Sequence, residues 1–171
     1  MESNILEQYG AIRLGMPDGT PITVLHIGEQ QTAVAAGTDA EPNAIFKLSI
    51  GSQKTAAEYF QHNPPTPGEI ENAIVVVEDA VARTIISGST MLFTMDDAIR
   101  KIALISGVSD RPELILTRDA MERTFERFTE VILGRLGSRE EIPVDVKFAA
   151  NLLILREFMH HLQFLAINIR A

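Results

Sequence analysis

The chain has 171 residues, a mass of 18.8 kDa and a formal net charge of −8. That length suits one domain with a sizeable core, and 46% hydrophobic with 22% charged residues is an ordinary globular balance. The absence of cysteine excludes a disulfide framework, a thiolate metal site and a cysteine nucleophile, while the acidic balance argues against general nucleic-acid binding. The opening MESNILEQYG has neither a basic patch nor an apolar core, so no signal peptide is expected. No apolar run approaches the ~20 residues of a membrane span, and the expected location is cytoplasmic.

In chain order, Tyr9 to Gly15 alternates weakly and reads as a first strand, ended by the turn signal Pro17-Asp18-Gly19. Ile22 to Ile27 and Thr32 to Ala36 read as β-rich strands closed by Gly28 and Gly37. Ile45 to Ile50 gives a fourth strand, completing an antiparallel meander. The chain then turns helical. Ser52 to Gln61 forms a short helix stopped by Pro64 and Pro65. Thr66-Pro67-Gly68-Glu69 is a capping box, with proline at the first helical position. Behind it, Ile70, Ile74, Val77, Val81 and Ile85 recur at helical spacing.

Ser87 to Phe93 reads as a strand, and Thr94-Met95-Asp96-Asp97 as a second capping box opening a helix to Ile105. Leu114 to Leu116 is a short strand, after which Thr117 caps a helix to about Leu136. The last helix, about Asp145 to Gln163, carries Phe148, Leu152, Leu155, Met159 and Leu162 on one stripe. With Leu153, Phe158 and Phe164 added, it is expected to be buried on more than one side. Leu165 to Ile169 closes the chain as a strand. The resulting class is α/β, a strand meander followed by alternating helices and strands in one domain over residues 1–171.

Four stretches resemble the exopolyphosphatase and guanosine pentaphosphate phosphatase (Ppx/GppA) family. VLHIGEQQTAVAAG, residues 24–37, sits where the family has its Asp-Ile-Gly-Gly-Gly-Ser-Thr-Glu phosphate loop. LSIGSQKTAAEYF, residues 48–60, is similar to Leu-Gly-Ala-Val-Arg-Leu-Thr-Glu, with Lys54 at the arginine position. PPTPGEIENA, residues 64–73, resembles the Pro-Pro-Thr opening of the next family helix. VDVKFAANLLIL, residues 144–155, is similar to the family's Ala-Asp-x-x-x-Ala-Gly-Ala-Leu-Ile-Leu helix, with Asp145 at the aspartate. The resemblance runs over roughly Val24 to Ile169. It implies an RNase-H-like half-domain of the actin and sugar-kinase superfamily, corresponding to the second half of the family's two-domain enzymes.

Against that pattern the phosphate loop is degenerate. Only Gly28 and Thr32 survive; His26 replaces aspartate, Glu29 and Gln30 replace glycines, and Ala33 replaces glutamate. Glycines let backbone N–H groups approach an anion, whereas side chains obstruct it and the Glu29 carboxylate repels it. A later glycine turn of the family falls at Asp96-Asp97, and Ala150 replaces another glycine. The family's other phosphate loop and catalytic glutamate belong to the first half. Phosphatase chemistry by the family mechanism is therefore not expected.

Other candidate sites are His26 and Glu29, at a strand end and turn, which can activate water or be polar turn residues. Glu157 and His160 have the i, i+3 spacing of carboxylate–histidine metal sites, but His161 and its neighbours equally suit a polar helix end. Asp96 and Asp97 can hold Mg²⁺ through water or serve as helix caps, the latter being preferred. If a ligand pocket survives, Gly28, Thr32, Gly51 and Lys54 are expected to line it. Three functions follow. The favoured one is a non-catalytic protein acting by homo-oligomerisation or partner binding, with no metal or other cofactor. The alternatives are a nucleotide or phosphate-metabolite sensor, or a phosphoanhydride hydrolase, with Mg²⁺, whose site is completed across a dimer. Neither nucleic acid nor membrane is an expected partner.

Overall fold

The computed structural model describes residues 2–86, 89–135 and 142–171. Strand β1 (Ile22–Ile27), β2 (Thr32–Gly37) and β3 (Ala44–Leu48) form the antiparallel meander. Strands β4 (Met91–Thr94) and β6 (Ala166–Arg170) continue the sheet parallel to β1, and β5 (Glu113–Thr117) pairs antiparallel with β6. The spatial order is β3-β2-β1-β4-β6-β5. Helices α1 (Glu2–Leu14), α2 (Ser52–Tyr59), α3 (Pro67–Ala82), α4 (Asp97–Ile105), α5 (Arg118–Ile132) and α6 (Val146–His161) complete the described fold.

The first expected strand is instead part of α1, so the meander has three strands. Ile5, Tyr9 and Ile12, at i, i+4 and i+7, are all at most 1% exposed. They pack on Ile22, Val24, Ala33, Ala35 and Phe93, the alternate residues that face one side of the sheet. Arg13 anchors the end of α1, its guanidinium donating to the Thr20, Thr38 and Pro17 carbonyls. The opposite face, with Leu25, Ile27, Val34, Leu92 and Ile167, carries the larger core. Helix α6 runs through its middle: ten of its residues are buried, and it packs against α2, α3, α4 and α5. The broad apolar face read from the sequence is thus the centre of the domain.

The capping box of α3 forms as expected. Thr66 Oγ1 accepts from Glu69 N, and the Glu69 carboxylate accepts from Thr66 N. Glu69 also accepts from Gln61 N and pairs with His62, tying the end of α2 to the start of α3. The bond from His62, followed by that from Thr66 N, holds its carboxyl down at about 2. A depressed carboxyl contributes stability above its ordinary range and loses it as pH falls through the folded-state value. Thr66→Ala is expected to lower unfolding stability by about 1 kcal/mol, measurable by urea titration. The apolar periodicity stops sooner than expected: α3 ends at Ala82, and Ile85 lies beyond it, 77% exposed.

The second expected box does not form. Asp96 occupies the N-cap position of α4, yet no side chain caps the helix, and Thr94 Oγ1 accepts from Asp96 N instead. The Asp96 carboxylate is committed elsewhere, as described below. Thr117 and Asp145 do cap α5 and α6, accepting from Ala120 N and Phe148 N. The start of the strand expected from Ser87 lies partly outside the described residues, and the strand begins at Met91. The helix expected to reach about Leu136 ends at Ile132, where Leu133 is the C-cap and Gly134 follows with a φ of 70°.

Candidate functional site at the carboxyl edge of the sheet

Strands β1 and β4 run in parallel and end on the same edge of the sheet. In open α/β sheets this carboxyl edge is where ligands bind. Here it gathers the β1–β2 turn, the start of α2 and the start of α4.

His26 and Asp96, 70 residues apart in sequence, meet there. His26 Nδ1 lies 2.6 Å from Asp96 Oδ1, and Asp96 Oδ2 accepts from the Ile27 backbone N–H at 2.7 Å. The carboxylate is 8% exposed and the imidazole 16%. An aspartate accepting from Nδ1–H fixes the tautomer that leaves Nε2 as an acceptor. That nitrogen faces Asn4 Nδ2 at 3.2 Å, so the amide donates to it. Gln8 Nε2 reaches Asp96 Oδ1 at 3.5 Å, while Gln8 Oε1 is buried without a hydrogen-bond partner. His26 and Asp96 were separate candidates in the sequence; Asn4 and Gln8, supplied by α1, were not visible as neighbours.

The β1–β2 turn is a tight one, Gly28 N donating to Gln31 O at 3.0 Å. Its carbonyls point at the first turn of α2. Gly28 O accepts from Ser52 N at 2.9 Å, and Glu29 O accepts from Gln53 N and Lys54 N at 3.0 Å each. The leading N–H groups of that helix are the donors an anion would use. They are satisfied by the chain itself. Gly51 makes the approach possible: an added Cβ would stand 2.5 Å from Glu29 O, 2.6 Å from Gln30 C and 2.7 Å from Gln31 N.

Thr32 is fully buried and donates its hydroxyl to Ile50 O at 2.8 Å. Lys54 is partly exposed, with Glu58 at 3.9 Å. The Glu29 carboxylate pairs with Lys147 at 3.1 Å, joining the turn to the start of α6.

A groove of about 660 Å³ opens between α4 and α6. Its lining includes Asp97, Lys101, Leu104, Asp145, Phe148 and Asn151, and none of Gly28, Thr32, Gly51 or Lys54. Asn151 is 5% exposed; its Nδ2 donates to Lys147 O, and its Oδ1 has no hydrogen-bond partner.

Glu157 and His160 are not brought together with further ligands. Arg156 donates to Glu157 at 2.6 Å, and His160 lies 3.8 Å from Glu122. Among the described residues no group of three His, Cys, Asp or Glu side chains is placed to hold a metal ion. Burial pushes the Glu157 carboxyl up, against the pull of the Arg156 charge. A raised carboxyl contributes stability below its ordinary range and loses it as pH rises through the folded-state value. Glu157→Gln is therefore expected to raise the melting temperature relative to wild type at pH 8, with the gap closing toward pH 5.

Among the described residues no helix is long and apolar enough to cross a membrane. Comparison with models of known families finds no match, and comparison with curated proteins finds none. Solved structures do match. A Ppx/GppA family member of Aquifex aeolicus superposes with a TM-score of 0.78 at 17% identity, over 99% of this chain and 58% of that one. The type II variant of the Aquifex aeolicus Ppx/GppA phosphatase gives 0.77 at 16% identity, over 97% and 58%. An exopolyphosphatase from Cytophaga hutchinsonii gives 0.68 at 13%, over 99% and 59%. The chain thus spans a little over half the length of these proteins, and its fold is the α/β fold of that part of the Ppx/GppA phosphatases.

Proposed function

We propose that this chain is a binding protein built on a phosphatase fold, acting through a protein partner or a second copy of itself and not by phosphoanhydride hydrolysis. The observation that carries this reading is the occupation of the α2 N–H groups by Gly28 O and Glu29 O. Phosphoryl transfer depends on donors and cations that stabilise charge on the transferring group. Here the turn offers carbonyl oxygens, its Glu29 carboxylate is paired with Lys147, and the Asp96 carboxylate beside it accepts from Ile27 N.

Incubation with polyphosphate or guanosine pentaphosphate and Mg²⁺ should release no phosphate above the protein-free blank. Release that falls on His26→Ala would sink this reading in favour of a hydrolase using His26 and Asp96. A second reading, a small-ligand sensor, is favoured by the buried unpartnered Oδ1 of Asn151 in the α4–α6 groove. Such a sensor would use that groove, away from Gly28 and Lys54.

A further inference from the structure

The groove between α4 and α6 carries a chemical demand that its own walls do not meet. Ala98, Leu104 and Ile105 of α4 line it together with Pro143 and Phe148. Phe148 and Asn151, three residues apart on α6, lie side by side on one face of that helix. The other polar lining residues, Asp97, Lys101, Asp145 and Lys147, are exposed and form the rim, whereas Asn151 is 5% exposed and belongs to the floor. Its Nδ2 is spent on Lys147 O at 3.0 Å, which fixes Oδ1 as the group left over. That oxygen has no hydrogen-bond partner among the described residues. Buried side-chain acceptors in folded proteins are nearly always paired, with the chain, with water or with a ligand.

We infer that this groove binds a small uncharged aromatic molecule whose ring N–H donates to Asn151 Oδ1. An apolar floor with one buried acceptor selects such a ligand. The ring covers Phe148, Leu104 and Ile105, and the N–H supplies the missing donor. A volume of about 660 Å³ is ordinary for the site of a small molecule. The rim gives no reason for a charge on the ligand. It sets two carboxylates against two ammonium groups, and of these Asp145 accepts from Phe148 N while Lys147 pairs with Glu29. A phosphate would meet Asp97 and Asp145 as readily as Lys101. This deepens the small-ligand reading of the same groove and rests on it.

The test is an amide-resolved NMR titration of the full chain with indole, which has one N–H donor, and with N-methylindole, which has none. Indole should give saturable shifts on residues 98–105 and 147–151. It should bind about tenfold more tightly than N-methylindole, the worth of one hydrogen bond. Asn151→Leu removes the acceptor and should bring the two affinities together. Because both probes share the ring, their ratio reads the hydrogen bond and not a general loss of packing. Ala98→Leu, on the α4 wall, narrows the groove and should weaken both probes while the spectrum stays dispersed. Equal affinities in the wild type, or a preference for indole that survives Asn151→Leu, would overturn the inference. Shifts on the same residues with inorganic phosphate, and none with indole, would overturn it yet leave the small-ligand reading of the groove intact. Absent shifts with every probe would remove both.

Discussion

Asp96→Ala is expected to destabilise the protein by about 2–3 kcal/mol in urea unfolding, a large effect for one carboxylate on a loop. The side chain is 8% exposed and serves two donors from β1, the His26 ring and the Ile27 backbone N–H. Its removal leaves the Ile27 N–H without a partner in a buried position, and such a group costs about 1–3 kcal/mol. His26 loses the acceptor that orients its ring, and Gln8 loses its link between α1 and the loop before α4. Asp96→Asn should cost less, because an amide oxygen can still accept from Ile27 N. A variant Asp96→Ala within about 0.5 kcal/mol of wild type would show that the β1–β4 bridge carries no weight.

Gly51→Ala carries the second large expectation, a loss of about 2–3 kcal/mol from overpacking and from hydrogen bonds pulled apart. Backbone strain is not the reason, since Gly51 has an extended φ of −154° and ψ of 161°. The new methyl group meets Glu29 O, Gln30 C and Gln31 N at 2.5–2.7 Å, all of them backbone atoms. The turn must retreat from α2. In doing so it stretches the three bonds that Ser52, Gln53 and Lys54 donate to Gly28 O and Glu29 O. A Gly51→Ala protein as stable as wild type would mean that the turn moves away freely and closes nothing.

What the sequence revealed depended on how local the physics was. The Thr66 box and the Thr117 cap are each decided within four residues, and both are present in the fold. The core stripe of α6 was legible because it repeats at helical spacing across the whole element. Helix α1 was missed because Tyr9 to Gly15 was taken without Ile5. Ile5, Tyr9 and Ile12 together have helical spacing, whereas the segment alone passes for a weak alternation. The box at Thr94 failed because a competing partner was invisible. Asp96 could cap α4, but His26 and Ile27 N claim its carboxylate from 70 and 69 residues away.

The candidate site divides in the same way. That side chains stand at Glu29 and Gln30 was readable residue by residue. The carbonyls of Gly28 and Glu29 closing the start of α2 were not, because backbone direction leaves no mark on residue type. Gly51 was read as a ligand-lining residue, and its geometry is that of a close packing contact with the turn.

The central claim, that Gly28 O and Glu29 O close the start of α2 to an anion, is tested most directly by melting the protein in polyphosphate with and without Mg²⁺. A ligand at a hundred times its dissociation constant adds about 2.7 kcal/mol of stability, easily seen for a domain of this size. The account predicts an unchanged melting temperature in both conditions. A rise that Lys54→Ala abolishes would contradict it, because the start of α2 would then still be open to an anion.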